Sequence, residues 1–185
     1  MQKEGGRIRA EEKELRVTPL KPFVQLILPQ AFNQFNPEER ITICNYTLMS
    51  SRMASCIFCK IIKGDIPSFK LFENEKVFAF LDINPLSRGH SLVIPKFHGE
   101  KLHDIPDDSL NEILPVAKKI AQAVGAKDYN ILQNNGAIAH QVVPHVHFHM
   151  IPKPNETEGL GVKWPMQETD MDKLKALFED IKSKM

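Results

Sequence analysis

The pattern of apolar and polar positions divides the chain near residue 53. Residues 1–53 carry charges of both signs and a short apolar patch between Pro22 and Pro29, but no helical or strand periodicity is sustained there. From Cys56 onward, apolar residues recur at helix or strand spacing between glycine, proline and acidic turn residues. We therefore predict an N-terminal arm over residues 1–53 and one folded domain with a C-terminal tail over residues 54–185.

The arm has three interpretations. In the first, the arm is disordered. In the second, it is an extension introduced by the gene model, because Met49 and Met53 could each start translation. Alternatively, the amphipathic stretch from Phe23 to Leu28 docks on another surface. None of the three places a chemically reactive cluster in the arm, so the search for a site begins at Cys56.

The folded domain has the spacing of three helices and five strands. The predicted helices are "CIFCKIIKG", residues 109–124 and "DMDKLKALFEDIKSK". The predicted strands are two within "SFKLFENEKVFAFLDI", one in "HSLVIPK" ending before Pro95, one in "YNILQN" and one in "HVHFHMI". Since strands outnumber helices and neighbouring strands can pair as hairpins, we predict an α+β fold: about five strands in a mostly antiparallel sheet, a central amphipathic helix and a C-terminal helix.

The central helix carries one apolar face. An acidic start and a glycine at its end mark its limits. The apolar positions at helical spacing are Leu110, Ile113, Leu114, Ala117, Ile120 and Val124. We expect this face to pack against the sheet or against a second subunit.

Charge and cysteine content exclude several classes of protein. Lys and Arg number 24 against 23 Asp and Glu, so there is no basic excess for binding nucleic acid or an anionic membrane. No apolar run approaches the roughly 20 residues of a membrane helix. The three cysteines, Cys44, Cys56 and Cys59, are an odd number with one CxxC pair, which is typical of a reducing compartment. We predict a cytoplasmic location, with the nucleus as the alternative.

Three histidines alternate with apolar residues in "HVHFHMI". On a strand, His145, His147 and His149 would share one face, and Val146 and Phe148 would face the other way. Such a row is typical of zinc ligands, although three parallel side chains fit a tetrahedral site poorly. It also suits phosphoryl or nucleotidyl transfer, in which one imidazole attacks phosphorus and its neighbours donate hydrogen bonds to the oxygens. The residues alone leave both uses open.

The stretch "HVHFHMI" resembles the signature of the histidine-triad (HIT) family. "CIFCKIIKGDIPSFKLFENEKVFAFLDINPLSRGHSLVIPKFH" and "YNILQNNGAIAHQVVPHVHFHMIPKP" are similar to the two halves of its Hint branch, and "GLGVKWPMQETD", with Trp164, is similar to the tail of fungal members. The resemblance implies that His147 is a nucleophile that forms a nucleotidyl-histidine intermediate, with its second nitrogen held by the His145 carbonyl. It implies no cofactor requirement for catalysis, and a homodimer.

The resemblance also implies a set of substrate-binding residues. His149 would donate to the α-phosphate, and Asn134 and Gln141 match positions that contact ribose and phosphate. Asp82 and Ile83 match the nucleoside pocket, and His90 matches a supporting histidine near the reactive group. One position departs from the branch, because Val142 replaces the usual serine on the leaving-group side. Two further histidines, His103 and His140, we assign to surface or loop positions.

A structural zinc is the second implication of the resemblance. Cys56 and Cys59 have zinc-ligand spacing but make only half a site. In several HIT proteins the set is completed by residues that match His98 and His145. The alternative is a metal-free hydrogen bond between these two histidines beside two thiols.

The resemblance to the Hint branch implies the expected activity. Its members hydrolyse the P–N bond of purine nucleoside phosphoramidates, in which AMP is joined to ammonia, lysine or another amine. We therefore expect an adenosine 5'-monophosphoramidase acting on a purine nucleotide. The alternatives are a diadenosine polyphosphate hydrolase and a nucleotide-binding scaffold with vestigial activity.

Overall fold

A computed structural model describes residues 35–163 and 165–185. Backbone contacts divide the chain into two units, one ending at Arg52 and the other spanning Met53–Met185. The docking stretch from Phe23 to Leu28 and the tail residue Trp164 lie outside the described residues. The interpretation of the arm as disordered or as a gene-model extension stays a prediction.

The structure has four α-helices within the described ranges. They are α1 (Pro37–Ser55), α2 (Ile57–Lys63), α3 (Asp107–Val124) and α4 (Met171–Lys182), and short 3₁₀ turns cover Leu102–Asp104 and Ala137–Ala139. Helices α2, α3 and α4 were predicted. Gly64 and Gly125 end α2 and α3 with φ of 84° and 73°, a left-handed conformation that glycine adopts without steric cost. No helix in the described ranges is long and apolar enough to cross a membrane.

Helix α1 was not predicted from periodicity. It carries no continuous apolar stripe, so the hydrophobic pattern could not detect it. Its start is nevertheless encoded locally. The Asn36 side chain accepts a hydrogen bond from the Glu39 backbone N–H, and the Glu39 carboxylate accepts one from the Asn36 N–H, both at 2.9 Å. This reciprocal cap satisfies two backbone N–H groups at the start of the helix, and Pro37, at the first helical position, has no N–H to satisfy.

The five strands form one antiparallel sheet. They are β1 (Lys70–Glu73), β2 (Val77–Leu81), β3 (Ser91–Pro95), β4 (Tyr129–Gln133) and β5 (Phe148–Pro152), in the order β1-β2-β3-β5-β4. All four pairings are antiparallel, which confirms the predicted α+β class. The last strand in the chain order is inserted beside β3, so residues far apart in sequence meet at the centre of the sheet.

Two strand boundaries differ from the prediction. Strand β3 includes Pro95, and β5 begins at Phe148 rather than at His145. The ladder between β3 and β5 covers only three residue pairs and ends at Phe148. Upstream of it, the Val146 N–H donates to the carbonyl of Gly99 at 2.8 Å, outside the sheet. His145 and His147 therefore lie in an irregular segment that leads into β5.

The central strands bury both faces of the sheet. Alternate residues of β2 and β3 pack on opposite sides, which explains their nearly continuous apolar sequence. On one side, α3 packs over a core formed by Val77, Ala79, Val93, Ile113, Val116, Ala117, Ile120, Ala121 and Met150. On the other, α2 packs over Cys56, Phe58, Cys59, Ile61, Phe78, Phe80, Leu92 and Ile94. Helix α4 has no buried residue.

The buried face of α3 is rotated relative to the prediction. Ile113, Ala117 and Ile120 are buried as expected, but Leu114 and Val124 are 57% and 41% exposed. Val116 and Ala121 are buried in the same face. The set of apolar residues on α3 is therefore wider than the buried face of the helix, and Leu114 and Val124 lie outside that face.

The tight packing of Ile113 gives a test of the core. Ile113 is fully buried, so Ile113→Ala should lower the free energy of unfolding by about 2–5 kcal/mol, and Ile113→Val by about 0.5–1.5 kcal/mol. Urea denaturation measures both. Lys118→Ala, on the exposed side of the same helix, should change the free energy by less than about 0.5 kcal/mol. Equal losses for Ile113→Ala and Lys118→Ala would contradict this packing.

Candidate active site

An open cleft of about 610 Å³ lies on the α2 side of the sheet. Leu92, His149 and Leu132 are directly opposite one another in the ladders of β3, β5 and β4, so their side chains share this face. Phe148 and Met150 point to the other face and pack in the α3 core. The alternation predicted for "HVHFHMI" therefore holds within β5. The cleft brings together six of the predicted residues: Asp82, Ile83, His90, Asn134, His147 and His149.

His147 is a buried ring with a defined tautomer. Its Nδ1 lies 2.7 Å from the backbone carbonyl of His145, and a carbonyl can only accept, so Nδ1 carries the hydrogen. Burial lowers the pKa of His147, and the His145 carbonyl opposes this effect only partly. The ring is therefore neutral near pH 7, with an unprotonated Nε2. An unprotonated nitrogen in a cleft is what a nucleophilic imidazole requires.

Phe58 supports the histidine rings from α2. Its ring meets His147 edge-on, with centroids 5.1 Å apart, and His145 in the same manner at 5.8 Å. These contacts restrict how the imidazoles can rotate and keep water from one side of them. The sequence indicated Phe58 only as an apolar position of a helix. Its contact with His147 depends on how α2 packs against the segment before β5.

A chain of hydrogen bonds defines the tautomer of His149. The Leu86 N–H donates to His90 Nδ1 at 3.1 Å, so the hydrogen of neutral His90 is on Nε2. That nitrogen lies 2.9 Å from His149 Nδ1 and donates to it. His149 consequently carries its own hydrogen on Nε2. Burial lowers the pKa of His149 to about 4, with further lowering from His147 and His90, so the ring is a neutral donor.

The same bonds argue against a metal at this cluster. The polar atoms of Asp82, His90 and His149 are close enough to share an ion. A metal ligand, however, needs a free lone pair, and the hydrogen on His90 Nε2 occupies that position while Leu86 holds Nδ1. Asp82 also accepts a hydrogen bond from the Asn84 N–H at 2.8 Å, so it caps a turn as well as lying 3.6 Å from His90.

Gln141 is not brought into the cleft with the other predicted residues. Its side-chain oxygen accepts from the Gly136 N–H at 2.6 Å, and its amide nitrogen donates to the carbonyl of Glu100 at 2.7 Å. Both ends of the amide therefore hold the loop that precedes the histidines. His140, which sequence analysis assigned to the surface, is exposed and lines the cleft. Val142 also lines it and is 89% exposed.

The remaining predicted residues form a second, buried cluster. Cys56, Cys59, His98 and His145 bring one ligand atom each within 4.8 Å of one another, and all four are buried. The Nε2 of His145 lies 2.9 Å from the carbonyl of Pro95 and therefore carries the hydrogen. Its Nδ1 is left as a lone pair that faces the cysteines and His98. This is the tautomer that a metal-ligating histidine needs.

The distances in this cluster match a tetrahedron. Zinc bonds of about 2.3 Å to sulfur and about 2.05 Å to nitrogen imply edges of about 3.6 Å between S and N and about 3.4 Å between two N atoms. His145 Nδ1 lies 3.6 Å from each of the two sulfurs, and His98 Nδ1 lies 3.4 Å from Cys59 Sγ. The two Nδ1 atoms are 3.2 Å apart, which also suits the alternative hydrogen bond.

The charge of the cysteines is also informative. Burial, followed by the neighbouring Cys56, raises the pKa of the Cys59 thiol to about 12. Both thiols are free rather than paired in a disulfide. A thiolate at this depth would need a cation beside it, and a bound divalent metal supplies one. The donor set therefore fits zinc in type, number and spacing.

Known proteins resemble this chain over the folded part. The family model "HIT domain" matches residues 63–156. Adenosine 5'-monophosphoramidase HNT1 of Saccharomyces cerevisiae is 59% identical over 132 residues, which cover 71% of this chain and 84% of the yeast protein. The counterpart from Schizosaccharomyces pombe is 59% identical over 131 residues, covering 71% of this chain and 98% of that protein.

Solved structures agree with the sequence relatives. A crystal structure of a histidine triad nucleotide-binding protein from Candida albicans has a TM-score of 0.68 at 58% identity, covering 70% of this chain and 96% of that one. A zinc-bound histidine triad family protein from Mycobacterium smegmatis has a TM-score of 0.55 at 35% identity, covering 72% and 99%. The cleft, the histidine row and these matches agree, and the chain belongs to the HIT family.

Proposed function

We propose that this protein hydrolyses the P–N bond of purine nucleoside phosphoramidates, with AMP and an amine as products. The observation that carries the proposal is His147, a neutral imidazole in a cleft with its hydrogen held on Nδ1. The yeast relatives at 59% identity are named adenosine 5'-monophosphoramidase, which supports the same activity for this chain.

The proposed first step is nucleophilic attack by His147. Its Nε2 lone pair forms a bond to phosphorus while the P–N bond breaks, and the departing amine takes that electron pair and a proton from the solvent. The imidazole becomes positively charged as it accepts the nucleotidyl group. The His145 carbonyl, which accepts from Nδ1, stabilises that charge. In the second step the oxygen of a water molecule bonds to phosphorus while the bond between Nε2 and phosphorus breaks, and the water gives up a proton to the solvent. AMP is released, and His147 keeps the electron pair of the broken bond and returns to its neutral form.

His149 is the proposed donor to the phosphate. Its hydrogen is on Nε2, because His90 donates to its Nδ1. A neutral donor stabilises the developing charge on the phosphate oxygens and does not compete with His147 for a proton. In this proposal His90 is a positioning residue, since it acts through His149 and is itself 97% buried.

The apolar end of the cleft is the proposed site of the nucleoside. Ile57, Phe58 and Ile83 line it, and Ile83 is 78% exposed, so its side chain can cover a purine ring. Asp82 and Asn134 line the same cleft and can accept or donate hydrogen bonds to the ribose. Gln141 is assigned an indirect role, as the residue that holds the adjoining loop.

Removal of the nucleophile tests the proposal. His147→Ala should lower kcat for adenosine phosphoramidate by about a thousandfold or more, because it removes the Nε2 lone pair that forms the covalent intermediate. A coupled assay for AMP release measures the rate. Circular dichroism controls for folding, and His103→Ala, an exposed histidine, should retain the wild-type rate.

The same assay separates the alternatives. Equal rates for wild type and His147→Ala would contradict covalent catalysis at this residue. Binding of AMP without turnover by the wild type would instead support a nucleotide-binding scaffold, for which the missing hydroxyl at Val142 is the motivating observation. Faster cleavage of diadenosine polyphosphates than of the phosphoramidate would support the other hydrolase activity.

We further propose that Cys56, Cys59, His98 and His145 bind a structural zinc. The tetrahedral spacing and the free Nδ1 lone pair of His145 support it. The zinc-bound relative from M. smegmatis supports it independently. The ion would hold α2 against the segment that carries His147, with no direct part in the reaction.

Metal analysis tests the zinc proposal. The purified protein should contain about one zinc per chain, and Cys59→Ser should reduce the content and lower the Tm. Cys44→Ser, which changes the exposed cysteine of α1, should alter neither. A content below half an equivalent in the wild type, with a Tm that does not respond to a chelator, would favour the metal-free hydrogen bond between His98 and His145.

A homodimer is the proposed assembly. Strand β4 lies at the edge of the sheet, where its outer backbone groups are open to another strand. Ile131, on β4 itself, is an apolar residue that is 39% exposed. Sedimentation velocity should give twice the chain mass, and Ile131→Glu should shift the protein towards the monomer. A monomeric wild type at micromolar concentration would contradict the proposal.

A further inference from the structure

The loop between β2 and β3 holds His90 in place. The Asp82 N–H donates to the His90 carbonyl at 3.0 Å, and the His90 N–H donates to the carbonyl of Ser87 at 3.1 Å. The Leu86 N–H donates to Nδ1 of the His90 ring at 3.1 Å. Backbone groups of one short loop therefore fix both the main chain of His90 and one side of its ring.

The side chain of Ser87 joins this loop to the end of β5. Its hydroxyl donates to the Pro152 carbonyl at 2.6 Å, across 65 residues of sequence, and the residue is only 6% exposed. The ladder between β3 and β5 ends at the pair of Ser91 and Met150, two residues before Pro152. The Ser87 hydrogen bond therefore extends the connection to β5 beyond the point where pairing with β3 stops.

The hydrogen bond between His90 and His149 connects the same two parts of the chain. His90 comes directly before β3, whereas His149 is a residue of β5. The Nε2 of His90 donates to His149 Nδ1 at 2.9 Å. Such a bond weakens steeply when the donor moves away from the line of the acceptor. A contact that fixes the loop against β5 therefore also fixes the alignment of the two rings.

We propose that Ser87 is a positioning residue, whose bond to Pro152 keeps His90 aligned with His149 and so keeps the hydrogen of His149 on Nε2. Its consequence for the reaction rests on the proposed function, in which His149 is the donor to the phosphate. The alignment of the rings is a property of the fold and does not depend on the substrate. A serine that served stability alone would leave the tautomer of His149 unchanged when its hydroxyl is removed.

Kinetics test the consequence for the reaction. Ser87→Ala should lower kcat for adenosine phosphoramidate about tenfold and leave KM within about twofold, because His149 acts on charge that develops after binding. The loss is moderate because the Gly159 N–H, which donates to the Leu86 carbonyl at 3.1 Å, still holds the loop. In a protein that already carries His149→Ala, the same change should alter kcat less than about twofold.

Nuclear magnetic resonance tests the alignment without turnover. With nitrogen-15 in the histidines, the wild type should show His149 with a protonated Nε2 and an unprotonated Nδ1. In Ser87→Ala the two nitrogen signals should move towards each other, because a ring that loses the bond from His90 exchanges between tautomers. Ser87→Cys, which fills a similar space with a weaker donor, should give intermediate values in both measurements.

A matched serine provides the control. Ser109 lies on α3 and is also 6% exposed, so Ser109→Ala removes an equally buried hydroxyl far from β5 in sequence and should leave kcat and the His149 signals unchanged. A lower Tm for Ser87→Ala, with kcat and these signals unchanged, would overturn the positioning role. An equal loss of kcat with and without His149→Ala would also overturn it, since Ser87 would then act through another residue. A wild type without phosphoramidase activity would overturn the proposed function instead, and the His149 signals would still decide the alignment.

Discussion

The hydrogen bond from His147 Nδ1 to the His145 carbonyl is the constraint on which the cleft depends. At 2.7 Å it holds the hydrogen on one ring nitrogen and leaves the other as a lone pair. Because burial also lowers the pKa of His147, the ring is neutral and does not lose that lone pair to a proton near pH 7. His145 lies two positions before His147 in the segment that leads into β5 and supplies this carbonyl, so the spacing of the two histidines fixes the tautomer of His147.

His145 links the reactive ring to the buried cluster. Its backbone carbonyl orients His147, and its own ring is held at both nitrogens, by the Pro95 carbonyl and by the cluster with Cys56, Cys59 and His98. Burial lowers the pKa of His145 to about 4, so this ring is neutral as well. One residue thus contributes its side chain to the buried cluster and its backbone carbonyl to the orientation of His147. The cleft and the buried cluster are adjacent, but the roles proposed for their side chains differ.

The sheet explains why the cleft has one reactive face. Strands β2 and β3 are apolar on both sides because α3 covers one and α2 the other. The short helix α2 leaves part of its face of the sheet uncovered. In that uncovered part, Leu92, His149 and Leu132 lie in line across three strands. The larger helix α3 covers the opposite face. His149 is therefore carried by a strand that is paired on both sides, and His147 lies in the segment that leads into this strand. The exposed lining residues His140 and Val142 lie in a loop.

The sequence by itself determined the features that depend on the spacing of neighbouring residues. Residue spacing, which needs no knowledge of distant partners, predicts four features. They are the α+β class, helices α2 to α4, the alternation of His149 with Phe148 and Met150, and the CxxC spacing of Cys56 and Cys59. Tertiary structure decided the rest: the ladder with β3 determines where β5 begins, the Gln141 amide binds the carbonyl of Glu100, and His140 lines the cleft. Each of these depends on a contact between residues that are remote in sequence or on a backbone conformation outside the regular elements. Periodicity carries no information about such contacts, because it reports which face of an element is apolar and not which element will cover it.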